Sequence, residues 1–159
     1  MAKPPRQLDR IDRNILRVLQ DNGRISFVDL AAQVGLSTSP CLERVRRLEK
    51  DGFIKGYTAV LEPAYLDAGL LVFVEISLDY TSPDIFAQFR AAVLKIPQVQ
   101  ECHLVSGSFD YLLKVRIPDM AAYRELLGEI VQTLPGVRDS KSCVVMEEIK
   151  ETLKLVIPR

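Results

Sequence analysis

The chain has 159 residues, a formal net charge of zero and 48% hydrophobic residues, a composition typical of an ordinary globular protein. The segment from Met1 to Arg10 has no apolar core for a secretion signal, and no apolar run is long enough to cross a bilayer. Cys41, Cys102 and Cys143 are widely spaced and predict neither a disulfide framework nor a zinc site, so a reducing cytoplasm fits best.

The zero net charge conceals an asymmetry between the two parts of the chain. Residues 1–60 carry 11 Lys and Arg against 7 Asp and Glu, a balance of +4, whereas residues 61–159 carry 10 against 14, a balance of −4. Only the basic part is therefore expected to meet a polyanion. Because +4 is modest, tight binding should need more than one such domain in an assembly.

Three helices are predicted in the basic part. Asp9 to Gln20 spaces its apolar residues at i, i+4, i+7 and i+8. In Ser26 to Gly35, the first residue and Asp29 form a capping box, and the final glycine ends the helix. A third helix begins in the polar run Ser37 to Ser39 and stops at Gly52. Two short helices joined by a glycine turn predict a helix-turn-helix.

The third helix separates apolar from cationic side chains. At about 100° per residue, Cys41, Val45 and Leu48 share one face. The first turn, the opposite face and its flank carry the predicted DNA-binding residues: Ser37, Thr38, Ser39, Arg44, Arg46, Arg47 and Lys50. A helix of this kind fits a DNA major groove. A cationic helix face is more often merely solvated, but the flanking elements favour the DNA-binding interpretation.

The segment after the third helix, Phe53 to Leu61, alternates apolar and polar residues and is rich in β-formers, with Gly56 placed for a bend. It predicts a β wing, and hence a winged helix-turn-helix domain over residues 1–62. The pair Glu62-Pro63 marks the expected domain boundary.

Residues 63–159 repeat a strand–helix–strand order. The predicted strands are Leu70 to Leu78, Val99 to Ser106, Tyr111 to Ile117 and Ser140 to Ile149, and the two helices follow Pro83-Asp84 and Pro118-Asp119. The order βαββαβ predicts an α+β fold, a ferredoxin-like sandwich with both helices on one face of an antiparallel sheet.

The other face of this sheet has no predicted cover. Val72, Val74 and Ile76 should face the helices, whereas Leu71 and Phe73 should face outward. A half-apolar sheet face favours dimerisation. A dimer also suits DNA binding, because two recognition helices one turn apart match a two-fold operator.

Nine short segments in order resemble the Lrp/AsnC family of bacterial transcription regulators. They run from LDRIDRNIL to VVMEE, include LAAQVGLS, RVRRLE, LLVFVEI and FDYLLKVRIPD, and cover nearly the whole chain. The resemblance implies a DNA-contacting helix from Ser39 to Asp51 and homodimers that commonly assemble into octamers. It also implies a sequence-specific DNA-binding regulator whose assembly or DNA affinity responds to a small amino acid, leucine-like or alanine-like, bound between dimers.

The resemblance further implies an effector site formed by Val72, Leu104, Gly107, Ser108, Asp110, Cys143, Val144 and Val145. Asp110 can accept the ammonium group of the ligand, and the backbone N–H groups of Gly107 and Ser108 can bind its carboxylate. Cys143 departs from the aromatic residue expected in close relatives, which makes the pocket wall smaller. Without the resemblance, residues 107–110 would be interpreted as a plain hairpin turn.

An enzyme is not predicted. On a strand, His103 and Ser106 point to opposite faces and cannot share a proton. No catalytic residue, metal site, cofactor or membrane partner is expected. Two alternatives stay open: an architectural DNA-bending protein without a strong ligand response, and a thiol sensor through Cys41 or Cys102, whose apolar surroundings argue against reactivity. The expected location is the cytoplasm, in association with the nucleoid.

Overall fold

The structure, a computed structural model, describes residues 7–80 and 82–158. The residues from Met1 to Arg6, which form most of the segment considered as a secretion signal, lie outside the described residues. The chain forms two units: the first ends at Val60 and resumes at Lys150, and the second runs from Leu61 to Ile149. From the sequence, the residues from Lys150 onward were instead expected in the second domain. Within the described residues, no helix is long and apolar enough to cross a membrane.

The first unit is built on three helices, α1 (Arg10–Asp21), α2 (Phe27–Val34) and α3 (Thr38–Lys50). Asp9 and Ser26 cap α1 and α2, because their side chains accept hydrogen bonds from the backbone N–H groups of Asp12 and Asp29. Gly35 ends α2 in the left-handed conformation, with φ of 72°. The predicted ends of α2 are therefore the observed ones.

One apolar cluster holds these helices together. Its buried members are Ile15, Leu30, Ala31, Val34, Cys41, Val45 and Leu48. Full burial of a Leu, Ile or Val side chain stabilises a fold by about 1.5–3 kcal/mol. Because Cys41, Val45 and Leu48 come from α3, that helix turns its apolar face to α1 and α2 and its opposite face away from the core.

The predicted β wing is not formed as a strand, since Phe53 to Leu61 has no strand partner among the described residues. The backbone N–H groups of Phe53 and Ile54 donate instead to the carbonyl of Leu48, at 2.9 and 3.2 Å. The Tyr57 hydroxyl donates to Glu49 Oε1 at 2.9 Å. The segment is thus fastened to the end of α3.

The C-terminal residues from Lys150 to Pro158 lie along α1. Gln20 makes two hydrogen bonds to the backbone of Leu155, accepting from its N–H at 2.6 Å and donating to its carbonyl at 3.2 Å. Arg17 Nη2 donates to the carbonyl of Ile157 at 3.1 Å. The sequence did not predict this contact, because backbone partners leave no side-chain pattern.

The second unit is a four-stranded antiparallel sheet with two helices. Its elements are β1 (Leu70–Leu78), α4 (Pro83–Val93), β2 (Val99–Leu104), β3 (Tyr111–Ile117), α5 (Met120–Thr133) and β4 (Val137–Val144), after a short 3-10 helix at Pro63–Leu66. The strand order is β2-β3-β1-β4, with β1 in the centre beside β3 and β4. This topology confirms the predicted ferredoxin-like α+β sandwich.

The core of this unit lies between the sheet and both helices. Val72, Val74 and Ile76 are fully buried against it, as predicted from their alternation along β1. Tyr111 of β3 stacks on Phe89 of α4, with ring centroids 4.0 Å apart. The sheet therefore uses one face for its own core.

The prediction for β4 was wrong in its bounds, since the strand starts at Val137 and ends at Val144 instead of spanning Ser140 to Ile149. After it, the N–H of Val145 donates to the carbonyl of Leu71 at 3.0 Å. The chain then brings Glu148 to Arg116, whose Nη1 and Nη2 donate to the two carboxylate oxygens at 3.0 and 2.7 Å. This two-point ion pair joins the segment after β4 to β3.

The outward face of the sheet is also less open than predicted. Leu71 lies opposite Arg116 and both are buried, at 6% and 7% exposure. Phe73, between Lys114 and Cys143, is half-buried. Lys114 Nζ lies 3.4 Å from a carboxylate oxygen of Glu101 on the neighbouring strand. The face therefore combines ion pairs with one partly exposed aromatic ring.

Candidate functional site

The outward face of α3 carries the predicted DNA-contacting side chains. Ser39, Arg46 and Lys50 are exposed, and Lys50 lies in the last turn of the helix. Ser37 precedes the helix as its N-cap residue, but its hydroxyl makes no capping hydrogen bond. Thr38 is exposed beside it. The apolar face below fixes these groups on one side of a rigid element, which is the arrangement that groove recognition requires.

Arg44, also predicted to contact DNA, is placed differently. Its Nη1 atom lies 2.6 Å from Asp9 Oδ2 and 2.7 Å from Asp12 Oδ1, so the guanidinium joins α3 to α1. Arg47 is 42% exposed and its Nη2 atom lies 3.6 Å from the same oxygen of Asp12. Four cations of α3 were predicted to contact DNA. Among the described residues, Arg46 and Lys50 are the two of these four that form no ion pair with α1.

These contacts change the electrostatics of the groups involved. The backbone N–H of Asp12 and the Arg44 guanidinium hold the pKa of the Asp9 carboxyl below its usual value. The same pairing with Asp9 and Asp12 raises the pKa of Arg44. Both groups are thus fixed in their charged forms near neutral pH.

The candidate effector residues separate into two clusters along β1. The first cluster consists of Leu104, Gly107, Ser108 and Asp110, around the turn between β2 and β3. Asp110 Oδ2 accepts from the N–H of Leu78 at 2.8 Å, and the N–H of Asp110 donates to the carbonyl of Ile76 at 2.8 Å. The first cluster therefore lies beside the end of β1.

The second cluster consists of Val72, Cys143, Val144 and Val145, and lies beside the start of β1. Val72 pairs with Val144, and Phe73 pairs with Cys143. Val72 lies four residues before Ile76 and six residues before Leu78. At the rise of a β-strand, these two intervals span about 13 and about 20 Å. A single amino-acid ligand cannot touch both clusters of one chain across that length.

Two residues of the second cluster face different environments. Val72 has no exposed surface and packs in the core of this chain, so its predicted role as a wall of the effector site stays a prediction. Its position on the helix-facing side of β1 is the physical reason for its burial. Cys143 is exposed on the other face of the sheet.

The remaining thiols are less accessible. Cys41 is buried and Cys102 is half-buried, and burial raises the pKa of both thiols. A raised pKa lowers the thiolate fraction, which argues against the thiol-sensor alternative. Among the residues that the structure describes, no three His, Cys, Asp or Glu side chains are grouped to hold a metal ion.

Two acidic residues were not singled out from the sequence. Asp12 lies among the apolar positions of α1 and is fully buried, a signal that a buried cation partner must exist. Glu43 is exposed on α3, and at about 100° per residue it falls near Ser39 and Lys50. A carboxylate there can accept a hydrogen bond from the amino group of cytosine.

Two family models match the two parts of the chain. Residues 8–55 match a winged helix-turn-helix DNA-binding domain, and residues 71–155 match the Lrp/AsnC ligand binding domain. The first match covers α1 to α3 and the first residues after α3. The second covers nearly the whole sheet and both of its helices.

Full-length relatives are similar along nearly the whole chain. The leucine-responsive regulatory protein of Salmonella typhimurium is 65% identical over 155 residues, which are 98% of this chain and 94% of that protein. The protein of the same name from Escherichia coli K12 is 64% identical, with the same shares covered. Both are regulatory proteins, which agrees with the sequence prediction of a regulator instead of an enzyme.

Solved structures show the same architecture. An AsnC family transcriptional regulator from Agrobacterium tumefaciens is 39% identical with a TM-score of 0.90, over 94% of this chain and 97% of that one. A transcriptional regulator from Neisseria meningitidis in complex with L-Met is 39% identical with a TM-score of 0.89, over the same shares. The chain therefore belongs to the Lrp/AsnC family of transcription regulators, with a helix-turn-helix DNA-binding domain followed by a ligand-binding domain.

Proposed function

We propose that the chain binds double-stranded DNA through the outward face of α3 and that a small amino acid, bound by the second unit, alters that binding or the assembly. The observation that carries the proposal is the division of α3 into a buried apolar face and an exposed face with Arg46 and Lys50. The family of the chain supports both DNA binding and amino-acid binding. The two faces of α3 support the choice of the DNA-contacting residues.

For DNA, the proposed contacts are Ser37, Thr38, Ser39, Arg46, Arg47 and Lys50. The hydroxyl groups at the start of α3 can donate to phosphate oxygens, which fix the register of the helix on the duplex. Arginine can donate two hydrogen bonds to a guanine edge in the major groove, and lysine can neutralise a phosphate. Arg44 is left out of this set, because its guanidinium is occupied by Asp9 and Asp12.

For the effector, we propose that the first cluster binds the charged groups of the amino acid. One oxygen of Asp110 is held by the N–H of Leu78, which orients the carboxylate toward an ammonium group. The N–H groups of Gly107 and Ser108 can meet the ligand carboxylate. A relative named for its response to leucine and a relative solved with L-Met support an aliphatic amino acid, leucine-like or alanine-like.

The separation of the two clusters supports a site shared between protomers. Because the clusters of one chain lie about 13–20 Å apart along β1, we propose that the first cluster of one protomer meets the second cluster of another. Cys143 and Val145 would then form the aliphatic wall of the site, with Val144 behind them. Binding at such a site would couple the ligand to the assembly, since it changes the packing between dimers.

We further propose a homodimer that assembles into an octamer, in the cytoplasm with the nucleoid. Two segments carry most of the large exposed apolar side chains: Tyr57, Val60, Leu61, Tyr65 and Leu66 in one, and Met146, Ile149, Leu153, Leu155 and Val156 in the other. Apolar surface of this extent is typical of association surfaces.

The test is a titration of a DNA duplex, selected from a random pool by the protein, with and without leucine, alanine or methionine. A shift in the apparent affinity or in the mass of the complex with one aliphatic amino acid, and none with glutamate, is the expected result. If no amino acid shifts either quantity, the effector proposal fails and the architectural alternative takes its place.

A further inference from the structure

A buried carboxylate lies in the core of the DNA-binding unit. Asp12 of α1 has a fully buried side chain, and its neighbours in the helix core are apolar residues such as Ile15. A charge in such a place is costly unless it is paired and hydrogen-bonded. The residues that pair with Asp12 are therefore necessary to the fold of this unit.

Among the described residues, two cations of the recognition helix approach Asp12. Arg44 Nη1 lies 2.7 Å from Asp12 Oδ1, and Arg47 Nη2 lies 3.6 Å from the same atom. The Arg44 nitrogen also lies 2.6 Å from Asp9 Oδ2, and Asp9 Oδ1 caps α1 at the N–H of Asp12. One guanidinium thus joins the first turn of α1 to the middle of α3.

We infer that Arg44 is a positioning residue, which fixes the rotation of α3 on α1 through Asp9 and Asp12 and does not touch DNA. The inference rests on the proposal that the outward face of α3 contacts DNA. It assigns to a cation of the recognition helix a role different from that of Arg46, although the two residues lie two positions apart.

The physical reason is that an ion pair depends on the orientation of α3 much more strongly than apolar packing does. Val45 and Leu48 pack α3 on the core through apolar contacts, which depend little on orientation. A rotation of α3 by one residue turns every side chain by about 100° and carries Arg46 away from the groove. The ion pair to a buried carboxylate favours the observed rotation, because turning α3 moves the Arg44 guanidinium away from Asp12.

The experiment compares the same chemical change at two positions, Arg44→Gln and Arg46→Gln, in the full-length protein, together with Asp12→Asn. The probes are a DNA duplex selected from a random pool by the wild-type protein and a scrambled duplex of equal composition. Three quantities are measured: the Tm, the slope of log affinity against log salt, and the ratio of affinities for the two duplexes well below the Tm.

Arg44→Gln should lower the Tm by about 10 °C or more, since it leaves Asp12 buried without its closest cation. It should keep the salt slope, because the phosphates keep all their cationic partners, and should lower the affinity ratio several-fold. Arg46→Gln should keep the Tm and weaken binding to the selected duplex. The slope should fall by about 0.9 for each protomer in which Arg46 contacts a phosphate instead of a guanine edge. The Tm losses of Asp12→Asn and Arg44→Gln should be less than additive in the double variant.

The inference is overturned if Arg44→Gln keeps the Tm and reduces the salt slope as Arg46→Gln does. It is also overturned if Arg44→Gln lowers the Tm but leaves the affinity ratio unchanged. Should the glutamine variant not fold, Arg44→Lys replaces it and is judged by the Tm and the affinity ratio, because lysine keeps the charge and therefore the salt slope in either case. If Arg46→Gln leaves DNA binding unchanged, the proposed DNA-contacting face fails instead, and the Tm still decides whether Arg44 ties α3 to α1.

Discussion

The two candidate sites differ in how the chain assembles them. The DNA-contacting residues lie within one helix, between Ser37 and Lys50, and a single apolar face orients all of them. The effector residues come from a turn and three strands, and they form two clusters at opposite ends of β1. A helix can present a complete site by itself, whereas the dispersed site needs a second chain.

This difference determines how each site should respond to substitution. Changes on α3 should act on DNA binding directly, in proportion to the hydrogen bonds and ion pairs with DNA that each substitution removes. Changes in the sheet should act through the assembly, because the site exists only where two protomers meet. The variants below separate the two cases.

The largest effect is expected from Phe73→Asp. Phe73 is a half-buried aromatic residue on the outward face of the sheet, where the sequence predicts that protomers pair. A carboxylate at a protein interface without a cationic partner is strongly unfavourable. Light scattering should therefore show a loss of mass or aggregation, with the effector response lost as well. A wild-type mass would refute the placement of the interface, and Gln132→Asp at an exposed position of α5 is the control.

The next largest effect is expected from Arg46→Ala. If Arg46 contacts a guanine edge, the substitution should cost about 1–3 kcal/mol of DNA-binding free energy for each bound protomer. A dimer that binds with both protomers should lose twice this amount. The measurement is the affinity for the selected duplex at moderate salt. Arg138→Ala removes the same charge from an exposed position on β4 and should leave the affinity unchanged. Equal effects of the two variants would mean that only the total charge matters.

Asp110→Asn should act on the effector alone. Asparagine keeps an oxygen that can accept from the N–H of Leu78 but removes the negative charge that faces the ammonium group. The loss of a charge-assisted hydrogen bond, about 1.5–3 kcal/mol, should lower the affinity for the effector by roughly tenfold or more. DNA binding without effector should match the wild type. An unchanged effector response would show that Asp110 is only a turn residue.

The smallest effect concerns the acid stability of the first unit. Because the folded pKa of Asp9 is lowered, its stabilising contribution is present above the unfolded pKa, about 3.9, and is lost as the pH falls through the folded value. Asn at this position still caps α1 but cannot pair with Arg44. Asp9→Asn should therefore lower the Tm by about 1–5 °C at pH 7 and by nothing at pH 2. A Tm difference between wild type and Asp9→Asn that persists at pH 2 would mean that the substitution acts through the N-cap of α1 and not through the ion pair with Arg44.

The sequence predicted elements well where one periodic face is buried. The stripe of Cys41, Val45 and Leu48 located the outward face of α3, and the alternation of Val72, Val74 and Ile76 located the helix-facing side of β1. Both follow from local geometry and burial, which adjacent residues determine.

The errors occur where contacts join residues far apart in the sequence. Alternation in Phe53 to Leu61 suggested a strand, but a strand needs a partner, and the segment instead donates to the end of α3. Arg44 has the sequence environment of a DNA contact, and only the fold brings it to Asp12. The ion pair between Arg116 and Glu148 likewise joins residues far apart in the sequence, and no local pattern predicts it.

The central claim is that the effector site combines clusters from two protomers, and mixed assemblies test it most directly. Asp110→Asn alters the first cluster, and Cys143→Gln alters the second without adding a charge to the outward face of the sheet. Each variant alone should lose effector binding while keeping its mass. Co-expressed with different tags and purified through both, they should regain binding at about one site in four, because random pairing gives some sites two intact clusters. Calorimetric titration with leucine measures the fraction of active sites. Recovery of that fraction supports a shared site, and a mixture as inactive as its components would show that both clusters must come from the same protomer.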